Sequence, residues 1–208
     1  MMGTIRIGTL HDFRKSEHKK GIADPAEGTK QVLHHVGEVS AANVDEALQN
    51  HGYDIKALET FGVMKIGKES QMTNFTFRNI SMSKTFNEPD CFIICSSIYK
   101  SKRTMSQFEG ADSCIEINQI NTFYNILTNT LNTISPVVFR GVHKVIYKDR
   151  QEKWNGHDWG HHPALIKEKE FEPQGEIRAI WQPKFNQSIE PMILCNYRLG
   201  SCVSYVTI

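Results

Sequence analysis

Glu176 is the residue best placed to do chemistry. It opens the run Glu176–Trp181, where Glu176, Arg178 and Ile180 alternate with Ile177, Ala179 and Trp181, the period of a β-strand. Gly175 lets the backbone turn sharply just before it, and Gln174 sits two residues earlier, on the proline-broken loop Lys167–Gly175. Loops carry chemistry and strands hold it still, so a carboxylate at a strand mouth is a candidate site. An isolated charged strand residue is more often a surface one, so other elements must decide.

Two further stretches bear on it. Thr4–Leu10 reads as a first strand, with Ile5 and Ile7 on one face and Arg6 and Gly8 on the other. Arg6 then lies beside a residue without a side chain, where a ligand can approach the backbone; the alternative is an edge-strand arginine in solvent. Cys91–Ser97 is almost continuously apolar, as in a strand buried on both faces. It ends in the hydroxyls of Ser96 and Ser97.

The elements that must position these residues are many short strands and few helices. The chain has 208 residues, 39% of them hydrophobic, with eleven Phe, enough for one domain with its own core. A net charge of +1 gives no general pull toward nucleic acid or anionic membrane. No apolar run is long enough to span a bilayer, and the N-terminal residues lack a signal pattern. The five Cys, mostly within strand-like runs, read as reduced, buried thiols of a cytoplasmic protein. Cys91 and Cys95 have the spacing of two metal ligands, but no second pair follows, which argues against zinc.

His11–Lys20 reads as a helical turn or loop, and Gly21–Gly28 as a tight turn in which Asp24 and Glu27 either cap backbone or brace Arg6 or Arg14. Ser40 reads as the N-cap of a helix that Gly52 stops. A strand is expected near Phe61–Ile66, another at Asn74–Ile80, a helical turn at Thr104–Phe108, and a strand at Ser113–Ile117. The clearest helix carries Ile120, Phe123, Tyr124, Leu127 and Leu131 on one face, capped by Asn118 or Asn121 and ended by Pro136. Strands follow around Val137–Phe139 and Val142–Tyr147, with Gly141 as a bulge or turn, and Met192–Tyr197 and Ser201–Ile208 close the chain. The loop Asp149–His162 holds Trp154, Trp159, His157, His161 and His162; it reads as a mobile binding lid or partner surface rather than a metal site. Strands not regularly separated by helices predict an α+β fold with mixed or antiparallel strands, and no Walker or Rossmann phosphate loop is present.

In order, the strand arginine, the Ser96–Ser97 strand end and the Gln174-x-Glu176 strand start resemble the Arg–Ser–Glu group of the ADP-ribosyltransferase superfamily. The stretch CSSIYKSKRTMSQFEGADSCIEI follows that group's serine strand, aromatic and further strand, with Phe108 as the aromatic. The serine element reads Cys-Ser-Ser where the group has Ser-Thr-Ser. Ser81-Met82-Ser83 before Phe86 keeps the two serines at the group's spacing. RIGTLHDFR, DPAEG and QGEIR also resemble motifs of a set of uncharacterised bacterial domains, over most of the chain.

The resemblance implies a single domain over residues 1–208 with a split two-sheet core and flanking helices. It implies a mono-ADP-ribosyltransferase that uses NAD as co-substrate on a macromolecular acceptor, protein or nucleic acid. A bacterial toxin or phage-defence effector, with an antitoxin or inhibitory partner protein, follows by analogy. In this reading Arg6 and Gly8 hold the diphosphate, and Ser96 or Ser97 bonds Glu176 or the nicotinamide ribose. Phe108 or Tyr99 covers the nicotinamide ring. Glu176 stabilises an oxocarbenium-like ribose, and Gln174 contacts the acceptor. Because Gln is no general base, it argues against an arginine side-chain acceptor. Two alternatives stand beside this: a non-catalytic nucleotide- or partner-binding module of the same fold, and a nucleic-acid-binding protein using Lys100, Lys102, Arg103 and the tryptophan loop.

Overall fold

A computed structural model describes residues 3–19, 21–67 and 70–207. Lys20, at the end of the expected His11–Lys20 turn, and Ile208, at the end of the closing strand, lie outside the described residues, as do Met1 and Met2. In chain order the elements are β1 (Thr4–Thr9), β2 (Thr29–Ala41), α1 (Val44–Thr60), β3 (Phe75–Asn87), β4 (Phe92–Ser97), α2 (Lys102–Met105), β5 (Cys114–Ile117) and α3 (Ile120–Asn132). They continue with β6 (Val137–Lys144), β7 (Ile146–Tyr147), β8 (Gln151–Lys153), β9 (Ile166–Lys167), β10 (Glu176–Pro183), β11 (Met192–Cys195) and β12 (Val203–Val206). The class is α+β, with mostly antiparallel strands in several open sheets. No helix among the described residues is long and apolar enough to cross a membrane. The chain divides into two compact units.

The first unit comprises Met1–Thr29, Asn87–Asp149 and His162–Ile208. Its main sheet has the order β11-β1-β4-β10-β6, every pair antiparallel. β4 lies at the centre, so both its faces need apolar side chains. Phe92 and Ile94 join the core beneath α3, and Ile93 joins a second cluster with Leu10 and Ile180. β10 divides its two faces by function. Ala179 and Trp181 pack against Phe123, Tyr124, Leu127 and Leu131 of α3, each large side chain contributing about 1.5–3 kcal/mol by burial, while Glu176 and Arg178 face the other way. The Trp181 indole N–H donates to Thr128 Oγ1 (2.7 Å), so this buried ring leaves no donor unpaired. Opposite the step Ile180–Trp181 the register skips Arg140, a bulge next to Gly141 at φ 105°, as expected there.

α3 differs from expectation at its start. Gln119 is the N-cap, without a side-chain bond, and Ile120, in the first turn, is 56% exposed rather than part of the packed face. The cysteines also differ. All five are free; Cys91 and Cys202 are buried and Cys114 is half-buried, but Cys95, on the central strand β4, and Cys195, on the edge strand β11, are exposed.

The second unit comprises Lys30–Phe86 and Arg150–His161, with the sheet β3-β2-β8 and α1. Here three local expectations are corrected. Ser40 is not the cap: β2 runs on to Ala41, and Asn43 Oδ1 accepts the N–H of Glu46 (2.9 Å) while Glu46 Oε2 accepts that of Ala42 (2.8 Å), a reciprocal cap that outcompetes Ser40. Gly52 does not end the helix, which bends at His51 and continues because Ile55, Ala57 and Leu58 are buried. Phe61–Ile66 is a turn following α1, not a strand, and β3 continues through Ser81 and Ser83 to Asn87.

The tryptophan loop is the largest correction. Trp154 is 3% exposed and packs with Val32, Val36 and Ile55. Tyr53 and Phe61 lie at ring centroid distances of 5.4 and 6.0 Å from it, and Trp159 packs on the same core. Seven large rings in one small unit (Tyr53, Phe61, Phe75, Phe77, Phe86, Trp154 and Trp159) need burial more than display. The segment that was expected as a lid contains β8 and part of a hydrophobic core.

Candidate functional site

The first unit encloses a cavity of about 460 Å³, and every residue lining it belongs to that unit. Arg6 and Gly8 of β1, Ser96 and Ser97 of β4, Phe108, and Gln174 and Glu176 all line it. Six further wall residues matter to its chemistry: Phe13, His18, Glu27, Cys95, Lys167 and Arg178. β4 carries β1 on one side and β10 on the other, so one sheet brings an arginine, two serines and a carboxylate to a common space.

Glu176 is only 4% exposed. Its Oε1 accepts from Arg178 Nε (2.6 Å) and its Oε2 from Lys167 Nζ (2.7 Å). Arg178 in turn grips Glu27 with both fork nitrogens, Nη1 to Oε1 and Nη2 to Oε2, each 2.7 Å. Nη1 also donates to the carbonyl of Ala164. Lys167, Glu176, Arg178 and Glu27 thus form a buried line of alternating charge whose formal sum is zero, the condition under which buried charges are tolerated. Burial by itself would raise the Glu176 carboxyl, but the charges and hydrogen bonds of Arg178 and Lys167 outweigh it and hold the group at about 2. Glu176 is therefore ionised throughout the physiological range.

The local chain explains how each partner is aimed. In DPAEG, Asp24 Oδ1 accepts the N–H of Ala26 (3.1 Å), and the Asp24 carbonyl that of Glu27 (2.9 Å), a turn that points the Glu27 carboxylate at Arg178. Asp24 thus caps local backbone, while the Glu27 carboxylate braces Arg178 and the Glu27 carbonyl accepts from Arg14 (2.6 Å). Before Glu176, the chain from Lys169 to Gln174 is a tight helical turn ending at Gly175, whose φ of 52° is left-handed.

Gln174 is turned inward. Its Oε1 accepts from Lys167 Nζ (3.0 Å), and its Nε2 donates to the carbonyl of Gly21 (2.8 Å). Both polar ends are consumed within the protein and the side chain is 2% exposed. The Ser97 hydroxyl donates to the Gln174 carbonyl (2.6 Å) and accepts from the Tyr99 N–H (3.0 Å), while Ser96 is cavity wall. Neither of these bonds goes to Glu176. Ser81 and Ser83 lie on β3, where the Ser81 hydroxyl meets His35 Nδ1 (2.9 Å); they do not line the cavity.

Arg6 has a different setting. Its guanidinium is half exposed and bonds Asp12 Oδ2 (2.7 Å). Asp12 also holds Lys15 (3.0 Å) and lies 3.2 Å from His18 Nε2. Burial raises the Asp12 carboxyl, and the hydrogen bonds from Arg6 and Lys15 more than reverse this, leaving it lowered. The space over Gly8 is already filled by the ring of Phe13, 3.0 Å from where a Cβ would be, so Gly8 makes room for Phe13 as well as forming cavity wall. Phe108 contributes an aromatic wall. Tyr99 instead lies over Gly175 and lines a separate cavity of about 530 Å³ with Lys100, Arg103 and Glu172.

Cys95, paired across the sheet with Arg178, faces the cavity. Its thiol is pushed well up, first by desolvation and then by the charge of Glu176, so it is a poor nucleophile. Among the described residues no three His, Cys, Asp or Glu side chains are grouped to hold a metal ion.

The sequence reading missed Lys167, Glu27 and Arg178 as site residues. Glu27 and Arg178 were within sight, since they are the acidic and basic members of DPAEG and QGEIR. Lys167 carried no signal.

No family model, curated protein or solved structure matches the chain.

Proposed function

We propose that the chain is an NAD-dependent mono-ADP-ribosyltransferase acting on a macromolecular acceptor. The observation that carries this reading is the convergence of Arg6, Ser96, Ser97, Phe108 and Glu176 on one cavity. A half-exposed guanidinium suits the diphosphate. The apolar wall with Phe108 suits the nicotinamide ring. An ionised carboxylate in a desolvated wall suits the ribose, where positive charge develops as the C1′–N bond breaks. In that step the bonding pair leaves with nicotinamide, neutralising its ring nitrogen. The acceptor nucleophile then supplies the pair for the new bond to C1′ and loses a proton to solvent.

A second reading, a non-catalytic nucleotide- or partner-binding module, is favoured by one observation. Both oxygens of Glu176 are already engaged by Lys167 and Arg178, as in a structural brace. Incubation of the protein with labelled NAD and cell lysate, followed by separate protease and nuclease digestion, tests the first reading and reports the acceptor class. Binding of NAD with neither label transfer nor nicotinamide release would leave the second reading standing.

A further inference from the structure

We propose that Lys167 is the positioning residue on which the charge and placement of Glu176 depend. This deepens the transferase reading and rests on it for its catalytic meaning. The geometry is unusual for a lysine. Lys167 is buried on the two-residue strand β9, which pairs in parallel with β7. Its ammonium bonds Glu176 Oε2 (2.7 Å) and Gln174 Oε1 (3.0 Å), and it stands 4.7 Å from the centre of the Phe171 ring. An ammonium has three donors, and here two are given to hydrogen bonds and the charge is completed by an aromatic face.

The two cations beside Glu176 are not equivalent. Arg178 is shared: its fork is gripped by both oxygens of Glu27, so its charge is already matched. The other partners of Lys167, an amide oxygen and an aromatic ring, carry no formal charge. Lys167 is therefore the cation that balances Glu176. Without it the buried line would hold two carboxylates and one guanidinium. Burial disfavours the uncompensated charge, and the group free to take up a proton is Glu176, since Glu27 is held at both oxygens. A protonated Glu176 cannot stabilise a cationic ribose. Lys167 also holds the side chain of Gln174, whose other end is anchored to Gly21, so the same ammonium fixes the chain on both sides of Gly175.

The experiment compares Lys167→Met with Lys167→Arg, which keeps the charge, measuring nicotinamide release from NAD against pH. For Lys167→Met the acid limb of kcat is expected to move upward. Turnover at neutral pH should fall about tenfold for each unit by which the Glu176 pKa exceeds the assay pH, and should recover as pH rises, with KM little changed. Lys167→Arg should keep the limb in the native range. If Lys167→Met does not fold, Lys167→Gln removes the charge while retaining a polar head. An unshifted limb in the charge-removing variant, or equal loss in Lys167→Met and Lys167→Arg without any shift, overturns the proposal. If the native protein releases no nicotinamide, the transferase reading fails on its own, and the carboxyl carbon of Glu176 followed by NMR titration decides the positioning role. An upward-shifted titration in Lys167→Met supports it, and an unshifted one overturns it.

Discussion

Gly175 lies directly beneath the ring of Tyr99: a Cβ on Gly175 would stand 2.3 Å from Tyr99 Cδ2. The same glycine has a φ of 52° and immediately precedes Glu176. Gly175→Ala is expected to lose more than about 1 kcal/mol of stability from the backbone conformation, with the steric clash in addition. Adding Tyr99→Ala should recover the steric part and leave the backbone part. Urea unfolding of the two single variants and the double variant separates them; equal stability of Gly175→Ala and Gly175→Ala/Tyr99→Ala would show that the ring is not the obstacle.

Glu27 and Arg178 should behave as one unit. Removing either leaves an unmatched buried charge, and Glu27→Gln or Arg178→Met is expected to cost about 3–5 kcal/mol. The double variant Glu27→Met/Arg178→Met leaves the balanced pair Lys167–Glu176, so its cost should be well below the sum of the singles. Chemical denaturation of the full cycle measures this, and additive losses would contradict the coupling.

Stability should fall on acidification through a defined window. The Glu176 carboxyl is lowered from 4.5 to about 2 in the folded state. Its contribution is therefore present above about pH 4.5 and is lost as pH falls toward 2, amounting to roughly 3 kcal/mol. Asp12, also lowered, acts in the same direction. Comparing native protein with Glu176→Gln by unfolding at several pH values should show the variant with the flatter acid dependence.

Arg6 and Glu176 should separate binding from chemistry. Arg6 is half exposed, so Arg6→Ala should change stability by less than about 1 kcal/mol while weakening NAD about tenfold or more. Glu176→Gln should leave NAD affinity within a few-fold of native in the protein that remains folded and reduce nicotinamide release on the order of a hundred-fold. Calorimetric affinity and nicotinamide release for both variants check this; unchanged NAD affinity in Arg6→Ala would remove Arg6 from the ligand site.

Trp154→Ala should act on stability rather than selectively on transfer to an acceptor. Its ring is buried among Tyr53, Phe61 and His34, and a truncation of this size typically costs about 3–5 kcal/mol. Thermal unfolding should show the loss. A fully stable variant with selective loss of acceptor labelling would restore the partner-surface role of this loop.

What could be read without the structure follows from how local each signal is. The CFIIC run of β4 declares a central strand because both its faces must be apolar, and the alternation of β10 declares which of its residues face inward. The convergence of Arg6, Ser96, Ser97 and Glu176 was legible because each stands on or at the end of a strand. The buried charge line was not, because Glu27 and Arg178 lie far apart in sequence and only the fold joins them. Trp154 was misread for the opposite reason. Polar residues around it suggest exposure, while the rings that cover it come from α1 and the turn that follows.

The cavity wall is drawn from all three separate segments of the first unit, from Ile5 to Arg178. Contacts of such long sequence separation are slow to form, and on the ribosome they cannot form at all until residue 178 has emerged. A polypeptide stalled or cut anywhere between the DPAEG turn and β9 has Arg6 but neither Lys167 nor Glu176, and so has no assembled site. Until residue 178 has been made the protein is inert by topology, and whatever the cavity does begins only then.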